Sequence, residues 1–246
     1  MSATKVIAIP VFGRHAVNAY LLLGRQPIIV DAGTPGRGQL IHDQVATHGV
    51  DPKDVRLIVV THGHIDHFGS AAELSRLTGA PIAGHIADLG IYQAGRVTEP
   101  YLPIGLFGRL FARTSRVRET AEPFEPSLLI RGETNLSDFG VEARIMPTPG
   151  HTAGSVSVLT DNGNLVAGDL VATPLLGFIK GRPANPPFHD DRLANLASLR
   201  EMLALGPTKL HLGHGAPLDP EQVGRWAAVE QRRLDRLVAR GRLRTK

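Results

Sequence analysis

The sequence predicts an α+β fold in which two β-sheets pack face to face and helices cover the outside. Strand-like runs cluster along the chain with helical patterns between them, so the order is neither a strict alternation of strand and helix nor all-β. The chain has 246 residues, of which 42% are hydrophobic and 20% charged, which suffices for a substantial core. No long Gly/Ser linker interrupts it, so we expect a single domain over residues 1–246.

The first fifty residues indicate a strand, a hairpin (residues 18–23 and 26–30) and a helix (39–48). The apolar run from Val55 to Val60 predicts a strand buried on both faces. Ser70 and Glu73 have the spacing of a capping box that opens a helix, and Gly79 can close it. Further strands are expected at residues 81–84, 127–131, 141–146, 155–159, 165–167 and 209–212, and helices at 192–203 and from 220 onward.

Two segments, residues 92–126 and 172–188, fit no regular element because prolines interrupt them repeatedly. Both are rich in apolar side chains, and long irregular segments often serve as lids or binding loops. They therefore predict a small-molecule substrate with an apolar portion. Packing on the core or on a second subunit is the alternative, and a homodimer through residues 92–126 is possible.

The chain carries a net charge of +4, and its excess of arginine lies in a predicted basic C-terminal helix at residues 220–240. A nucleic-acid partner is possible on electrostatic grounds. However, Val223, Trp226, Leu234, Leu237 and Val238 recur at helical spacing, so a surface helix with one apolar face explains the segment without such a partner. No apolar stretch approaches the ~18 residues of a membrane span, and we see no secretory signal, so the cytoplasm is the default location.

Candidate metal ligands lie at the ends of several predicted strands, each beside glycine or in a tight turn. The motifs are His62-Gly63-His64-Ile65-Asp66-His67, Pro149-Gly150-His151-Thr152-Ala153-Gly154-Ser155, Gly168-Asp169 and Gly213-His214-Gly215. The chain contains no cysteine, so disulfides and thiolate ligands are excluded. Imidazole and carboxylate suit zinc, and also iron or manganese.

Seven ligands are too many for one tetrahedral ion but sufficient for two ions that share a carboxylate. His62 and His64, two residues apart on an extended segment, can point at one ion with His151. Asp66 and His67, beyond the bend, can point at a second ion with His214. Asp169 can bridge the two ions.

These motifs, in this order and preceded by Asp31, resemble the metallo-β-lactamase superfamily from about residue 5 to residue 220. The resemblance implies a four-layer αββα sandwich with a dinuclear metal site along one edge, and the two ligand sets given above. Asp31 would lie just outside the ligands and hold one ring by its other nitrogen. The absence of cysteine and the presence of Asp66 make the chain more similar to thioesterases of the glyoxalase II type, lactonases and phosphodiester enzymes than to true β-lactamases.

The expected function is therefore a dinuclear-zinc hydrolase of an ester, thioester or lactone bond, in which a hydroxide between the ions is the nucleophile. Asp66 is the candidate catalytic residue, since it can also orient or take up the proton. His189, Lys180 and Phe178 are candidate substrate contacts from the second irregular segment and its end. Two alternatives remain: a mononuclear-iron oxidoreductase acting on a persulfide with oxygen, and an RNA or phosphodiester hydrolase.

Overall fold

The computed structural model describes residues 3–179 and 181–243. The strands are β1 (Lys5–Phe12), β2 (Val17–Leu23), β3 (Pro27–Val30), β4 (Ile58–Val59), β5 (Ile82–His85), β6 (Leu128–Ile130), β7 (Thr134–Asn135), β8 (Ala143–Pro147), β9 (Val156–Thr160), β10 (Asn164–Val166) and β11 (Lys209–His211). The α-helices are α1 (Gly38–Thr47), α2 (Ile65–Phe68), α3 (Ala71–Thr78), α4 (Leu89–Ala94), α5 (Gly105–Phe111), α6 (Arg192–Ala204) and α7 (Pro220–Ala239).

The strands form two sheets. The first has the order β1-β2-β3-β4-β5-β6, with antiparallel pairing up to β3 and parallel pairing from β3 to β6. The second has the order β11-β10-β9-β8-β7 and is antiparallel except for the β10–β11 pair. Strands and helices therefore alternate between β3 and β5. They do not alternate along the whole chain, as the sequence predicted.

Three clusters of buried side chains separate four layers. The cluster between the sheets contains Tyr20 and Leu22 of the first sheet and Val158 of the second. A second cluster joins the outer face of the first sheet to α1 and α3, and a third joins the second sheet to α6 and α7. This arrangement is the predicted αββα sandwich.

The apolar run in β2 shows why the central strands lack polar alternation. Tyr20 and Leu22 face the second sheet, whereas Ala19 and Leu21 face the helices. Because successive side chains point to opposite faces, a strand covered on both sides needs apolar residues at every position.

Two local predictions were wrong in detail. The strand predicted at 55–60 is reduced to Ile58–Val59, because Val55 ends a 3₁₀ turn over Pro52–Asp54. The Ser70 hydroxyl does not cap α3: it donates to the Thr34 carbonyl (2.7 Å) and accepts from the Arg37 amide (2.7 Å). Glu73 likewise accepts from the Gly38 amide at 3.0 Å, so the capping-box pair ties α3 to the start of α1 instead.

The segment at 92–126 is more regular than predicted, since it contains α5 and a 3₁₀ turn at Ser115–Arg118. Residues 172–188 form no helix or strand where they are described, apart from two isolated bridges, between Ala172 and Ala184 and between Phe188 and Pro103. The basic helix is α7, but Val238 is 51% exposed rather than part of its apolar face. None of the helices in the described ranges is long and apolar enough to cross a membrane.

Candidate metal centre

Four chain segments bring the predicted ligands to one edge of the sandwich, and a fifth brings Asp31. Asp31 follows β3, the His62–His67 motif follows β4, His151 lies between β8 and β9, Asp169 follows β10 and His214 follows β11. The loops at strand ends thus converge where the two sheets meet, as in other α/β sites.

His62, His64 and His151 form the first set. Their ligand atoms all lie within 4.8 Å of one another, and His64 Nδ1 is 2.9 Å from His151 Nε2. The buried Nε2 atom of His62 has no hydrogen-bond partner within the described part of the chain. Three imidazole nitrogens therefore face one small volume.

Asp66, His67 and His214 form the second set, again with ligand atoms within 4.8 Å of one another. The Nε2 atoms of His67 and His214 are 3.4 Å apart, and His214 Nε2 is 3.3 Å from Asp66 Oδ2. The side chain of Asp66 is 28% exposed, whereas the two imidazoles are buried. In this set, the Asp66 carboxylate is therefore the group that solvent reaches.

The Asp169 carboxylate reaches both sets. Its Oδ2 atom lies 3.5 Å from His151 Nε2 and 3.2 Å from His214 Nε2, and its Oδ1 atom lies 3.6 Å from His67 Nε2. Although buried, Oδ1 accepts no hydrogen bond from any described residue.

The donor atoms fit bound divalent metal. Ligands 2.0–2.1 Å from a tetrahedral zinc ion lie about 3.3–3.4 Å from each other, and the separations of His214 Nε2 from His67 Nε2, Asp66 Oδ2 and Asp169 Oδ2 are close to this value. His67 Nε2 and Asp66 Oδ1 are farther apart, at 4.0 Å. Buried polar atoms are normally hydrogen-bonded, so His62 Nε2 and Asp169 Oδ1, which lack a partner among the described residues, suit coordination to a cation.

Other groups hold the Nδ1 atoms of His62, His67 and His214, the ring nitrogens that point away from the candidate metal positions, as is usual for metal-ligating imidazoles. Asp31, in the left-handed region at φ 66°, lies 2.8 Å from His67 Nδ1 and also accepts from the amide and hydroxyl of Thr61. The Thr61 hydroxyl is 2.9 Å from His62 Nδ1, and His214 Nδ1 contacts the Ala16 carbonyl. Asp31 thus lies behind the ring of a candidate ligand, His67.

His189 lies behind the first set rather than in front of it. Its Nδ1 is 3.1 Å from Nδ1 of His151, its ring is buried, and it is absent from the lining of the cavity described below. This position does not suit the direct substrate contact that the sequence predicted, because His151 separates the ring from the cavity. It suits orientation of the His151 ring.

Asp88, which the sequence did not single out, joins the two loops of the first set. Its buried carboxylate accepts from the Gly63 amide (2.7 Å), the Thr152 hydroxyl (2.7 Å) and the Gly154 amide (2.9 Å). A Cβ on Gly154 would lie 2.4 Å from Asp88 Cγ, so this close approach requires glycine. Burial raises the pKa of Asp88, and the three donors oppose that shift.

The pKa shifts divide the imidazoles into two groups. Burial lowers the pKa of His62 well below its usual range and that of His151 to about 3, which favours the neutral form that metal ligation needs. Burial also acts to lower the pKa of His67, but Asp31 and Asp169 outweigh it and raise the value to about 9. Burial acts to raise the pKa of Asp169, but His214, His67 and His151 hold it well below its usual range.

A cavity of about 890 Å³, part of which opens to solvent, leads to the two sets. Asp66, Asp169 and three of the imidazoles form its base, and the surrounding wall is largely apolar. The apolar lining comprises Phe12, Ala16, Val17, Ile65, Tyr101, Phe111, Val117, Leu176, Phe178, Pro187 and Phe188. Phe178, a candidate substrate contact, thus lies on the wall of this cavity. Lys180, the other candidate from this segment, lies outside the described residues.

The chain matches the family model of the metallo-beta-lactamase superfamily over residues 12–214. It is similar to "Probable metallo-hydrolase MJ0888" of Methanocaldococcus jannaschii, with 29% identity over 82% of this chain and 88% of that one. It is also 28% identical to the hydroxyacylglutathione hydrolase of Anaeromyxobacter dehalogenans, over 64% of this chain and 47% of that one.

Solved structures agree on the fold. A metallo-beta-lactamase family protein from Thermus thermophilus superimposes with a TM-score of 0.68 at 24% identity, covering 96% of this chain and 82% of that one. Rm3 metallo-beta-lactamase gives a TM-score of 0.68 at 19% identity, covering 98% and 93%. The chain therefore belongs to the metallo-beta-lactamase superfamily and is a metallo-hydrolase.

Proposed function

We propose that this protein is a dinuclear-zinc hydrolase of an ester, thioester or lactone bond. The observation that carries the proposal is that two complete sets of ligand atoms share the Asp169 carboxylate at the base of an apolar cavity. His62, His64 and His151 would hold one ion, and Asp66, His67 and His214 the other.

Two adjacent zinc ions would supply a water of lowered pKa and a Lewis acid for the scissile carbonyl oxygen. The residues of this chain would hold those ions in fixed positions, because Asp31, Thr61 and His189 restrain the imidazole rings from behind. Asp66 is suited to accept or orient the proton of the attacking water, since its carboxylate lines the cavity and is partly exposed. Burial acts to raise the pKa of Asp66, but His67 and His214 hold it below its usual range. The carboxylate is therefore ionised, which favours orienting the attacking water through a hydrogen bond over taking up its proton.

The cavity wall supports a carboxylic substrate with an apolar acyl or alcohol portion. Aromatic rings of Tyr101 and Phe188 lie 4.4 Å apart and Tyr101 is 5.2 Å from His64, so an apolar group would be held beside the ligands. One relative is named hydroxyacylglutathione hydrolase. An acylglutathione is a thioester, so the substrate in that name is compatible with the proposed class.

The completeness of the second set favours two ions over the mononuclear-iron alternative. Asp66, His67 and His214 have the spacing of a metal site of their own. A phosphodiester substrate is less suited to the cavity, because Arg116 is the one arginine among the described residues of its wall, and it is paired with Glu119 at 2.9 Å.

The test is turnover of matched ester, thioester and lactone substrates by the zinc-loaded protein. We expect hydrolysis of at least one class, and loss of it by at least about 10³-fold in Asp66→Ala and His64→Ala. Asp43→Ala, which changes an exposed carboxylate of α1, is the matched control and should retain activity. Activity that survives in either site variant would contradict the assignment.

A further inference from the structure

Helix α5 presents large apolar side chains to solvent beside the cavity. Leu106 is 72% exposed and Leu110 is 54% exposed, and Phe107 is also exposed. Arg109 is exposed and lies three residues after Leu106 on α5, so it shares the face of that leucine. Arg113 is also exposed and lies in the turn that follows α5. We call these five residues the α5 surface.

Arginines give this region a positive charge. Residues 100–118 include Arg109, Arg113, Arg116 and Arg118 and contain no aspartate or glutamate. Arg116 is paired with Glu119, which directly follows this range, so the charge of the α5 surface comes from Arg109 and Arg113. Exposed apolar patches usually mark an interaction site, and a surface helix that combines leucine, phenylalanine and arginine suits the headgroup region of an anionic lipid layer.

Aromatic rings connect the α5 surface to the candidate metal centre. The rings of Phe107 and Phe111 are stacked at 5.9 Å, and Phe111 is 5.8 Å from Phe188. Phe188 is 4.4 Å from Tyr101, whose ring lies 5.2 Å from His64. An acyl chain that leaves a lipid layer at α5 could thus follow a continuous apolar wall to the ligands.

We infer that the α5 surface binds an anionic lipid layer and that an acyl substrate passes from this layer into the cavity. This inference rests on the proposed function for the fate of the substrate. A second copy of the chain is a poorer occupant, because a two-fold interface places the same patch on both sides and would bring four arginines, Arg109 and Arg113 of each copy, into one interface.

The experiment is sedimentation of the zinc-loaded protein with vesicles of phosphatidylcholine alone and of phosphatidylcholine mixed with phosphatidylglycerol. We expect binding to the mixed vesicles that weakens as salt is raised. Arg109→Ala/Arg113→Ala should lower the affinity about 25-fold, about fivefold for each arginine. Leu106→Ser/Leu110→Ser should also lower it, since it removes the apolar contact.

The controls are Arg232→Ala/Arg236→Ala and Val229→Ser, which change the charge and the exposed apolar surface of α7 and should leave vesicle binding unchanged. Three results would overturn the inference: no binding to mixed vesicles, loss of binding in the α7 arginine variant but not in the α5 variants, or a dimer that Leu106→Ser/Leu110→Ser dissociates. Hydrolysis of a short water-soluble ester by the unchanged protein is measured separately, so a failure of the proposed function is distinguishable from a failure of lipid binding.

Discussion

Replacing Asp88 with asparagine should loosen the first ligand set without touching any proposed ligand. The carboxylate of Asp88 receives two backbone amides and one hydroxyl, and these come from the loops that carry His62, His64 and His151. Asparagine has the same size but only one acceptor oxygen. In either orientation, its NH₂ group would face the amide of Gly63 or of Gly154, so one backbone N–H loses its acceptor.

Asp88→Asn therefore loses at least one charge-assisted hydrogen bond in a buried site, and the free energy of unfolding should decrease by about 1.5–3 kcal/mol. Groups that orient metal ligands from behind typically contribute about 10–100-fold to metal affinity, and we expect a decrease of that size for one of the two zinc equivalents. Urea unfolding of the metal-free protein measures the free energy, and competition with a chromophoric chelator measures the affinity. Asp43→Asn is the control, because its exposed carboxylate contacts only the α1 side chains Gln39 and His42 in the described structure.

Two results together would show that Asp88 does not position the loops. The free energy of unfolding of Asp88→Asn would lie within about 0.5 kcal/mol of that of the unchanged protein, as for a surface variant, and both zinc equivalents would bind with unchanged affinity. A fall in stability with unchanged zinc affinity would assign Asp88 a purely structural role and would also contradict the reasoning.

Asp31→Asn should weaken one zinc equivalent by about 10–100-fold in the same chelator competition, because it removes a carboxylate behind an imidazole. His189→Phe should weaken zinc binding through His151 with little change in KM; a raised KM at unchanged zinc affinity would instead support direct substrate contact. Phe178→Ala should raise KM for long acyl substrates while changing stability by less than about 0.5 kcal/mol, since this ring is 69% exposed. Burial, aided by Lys209, lowers the pKa of His211 to about 4. As pH falls, His211 therefore takes up its proton at a higher pH in the unfolded chain than in the folded one. The free energy of unfolding should decrease by up to about 3 kcal/mol as pH falls from about 6.5 to 4. Urea unfolding of His211→Gln over the same pH range should show a smaller decrease.

The αββα architecture could be predicted because its central strands are covered on both faces and must be apolar throughout. The runs around Leu21, Ile29 and Val59 carry this signal directly. The seven candidate ligands could be identified for a related reason: each lies in a short motif at the end of a strand, where topology brings separate loops to one edge. Asp31 belongs to the same class, since it directly follows β3.

Residues that act through distant contacts could not be predicted. Asp88 is 25 residues from Gly63 and 64 from Thr152, and it stands in a 3₁₀ turn without a motif. The pairing of His189 with His151 also joins positions far apart in sequence. Helix α5 could not be predicted because its leucines, Leu106 and Leu110, are exposed. Its apolar residues therefore lack the spacing of a helix with one buried face. Ser70 and Glu73 had capping spacing, but α1 supplied competing partners.

The number of metal ions per chain distinguishes the dinuclear-zinc hydrolase from its alternatives. It is measured by elemental analysis of the protein, expressed without added metal and dialysed against metal-free buffer. We expect about two zinc ions per chain, since both ligand sets are complete and share Asp169. About one iron per chain, with the second set unoccupied, would contradict this expectation and would point to the oxygen-dependent alternative.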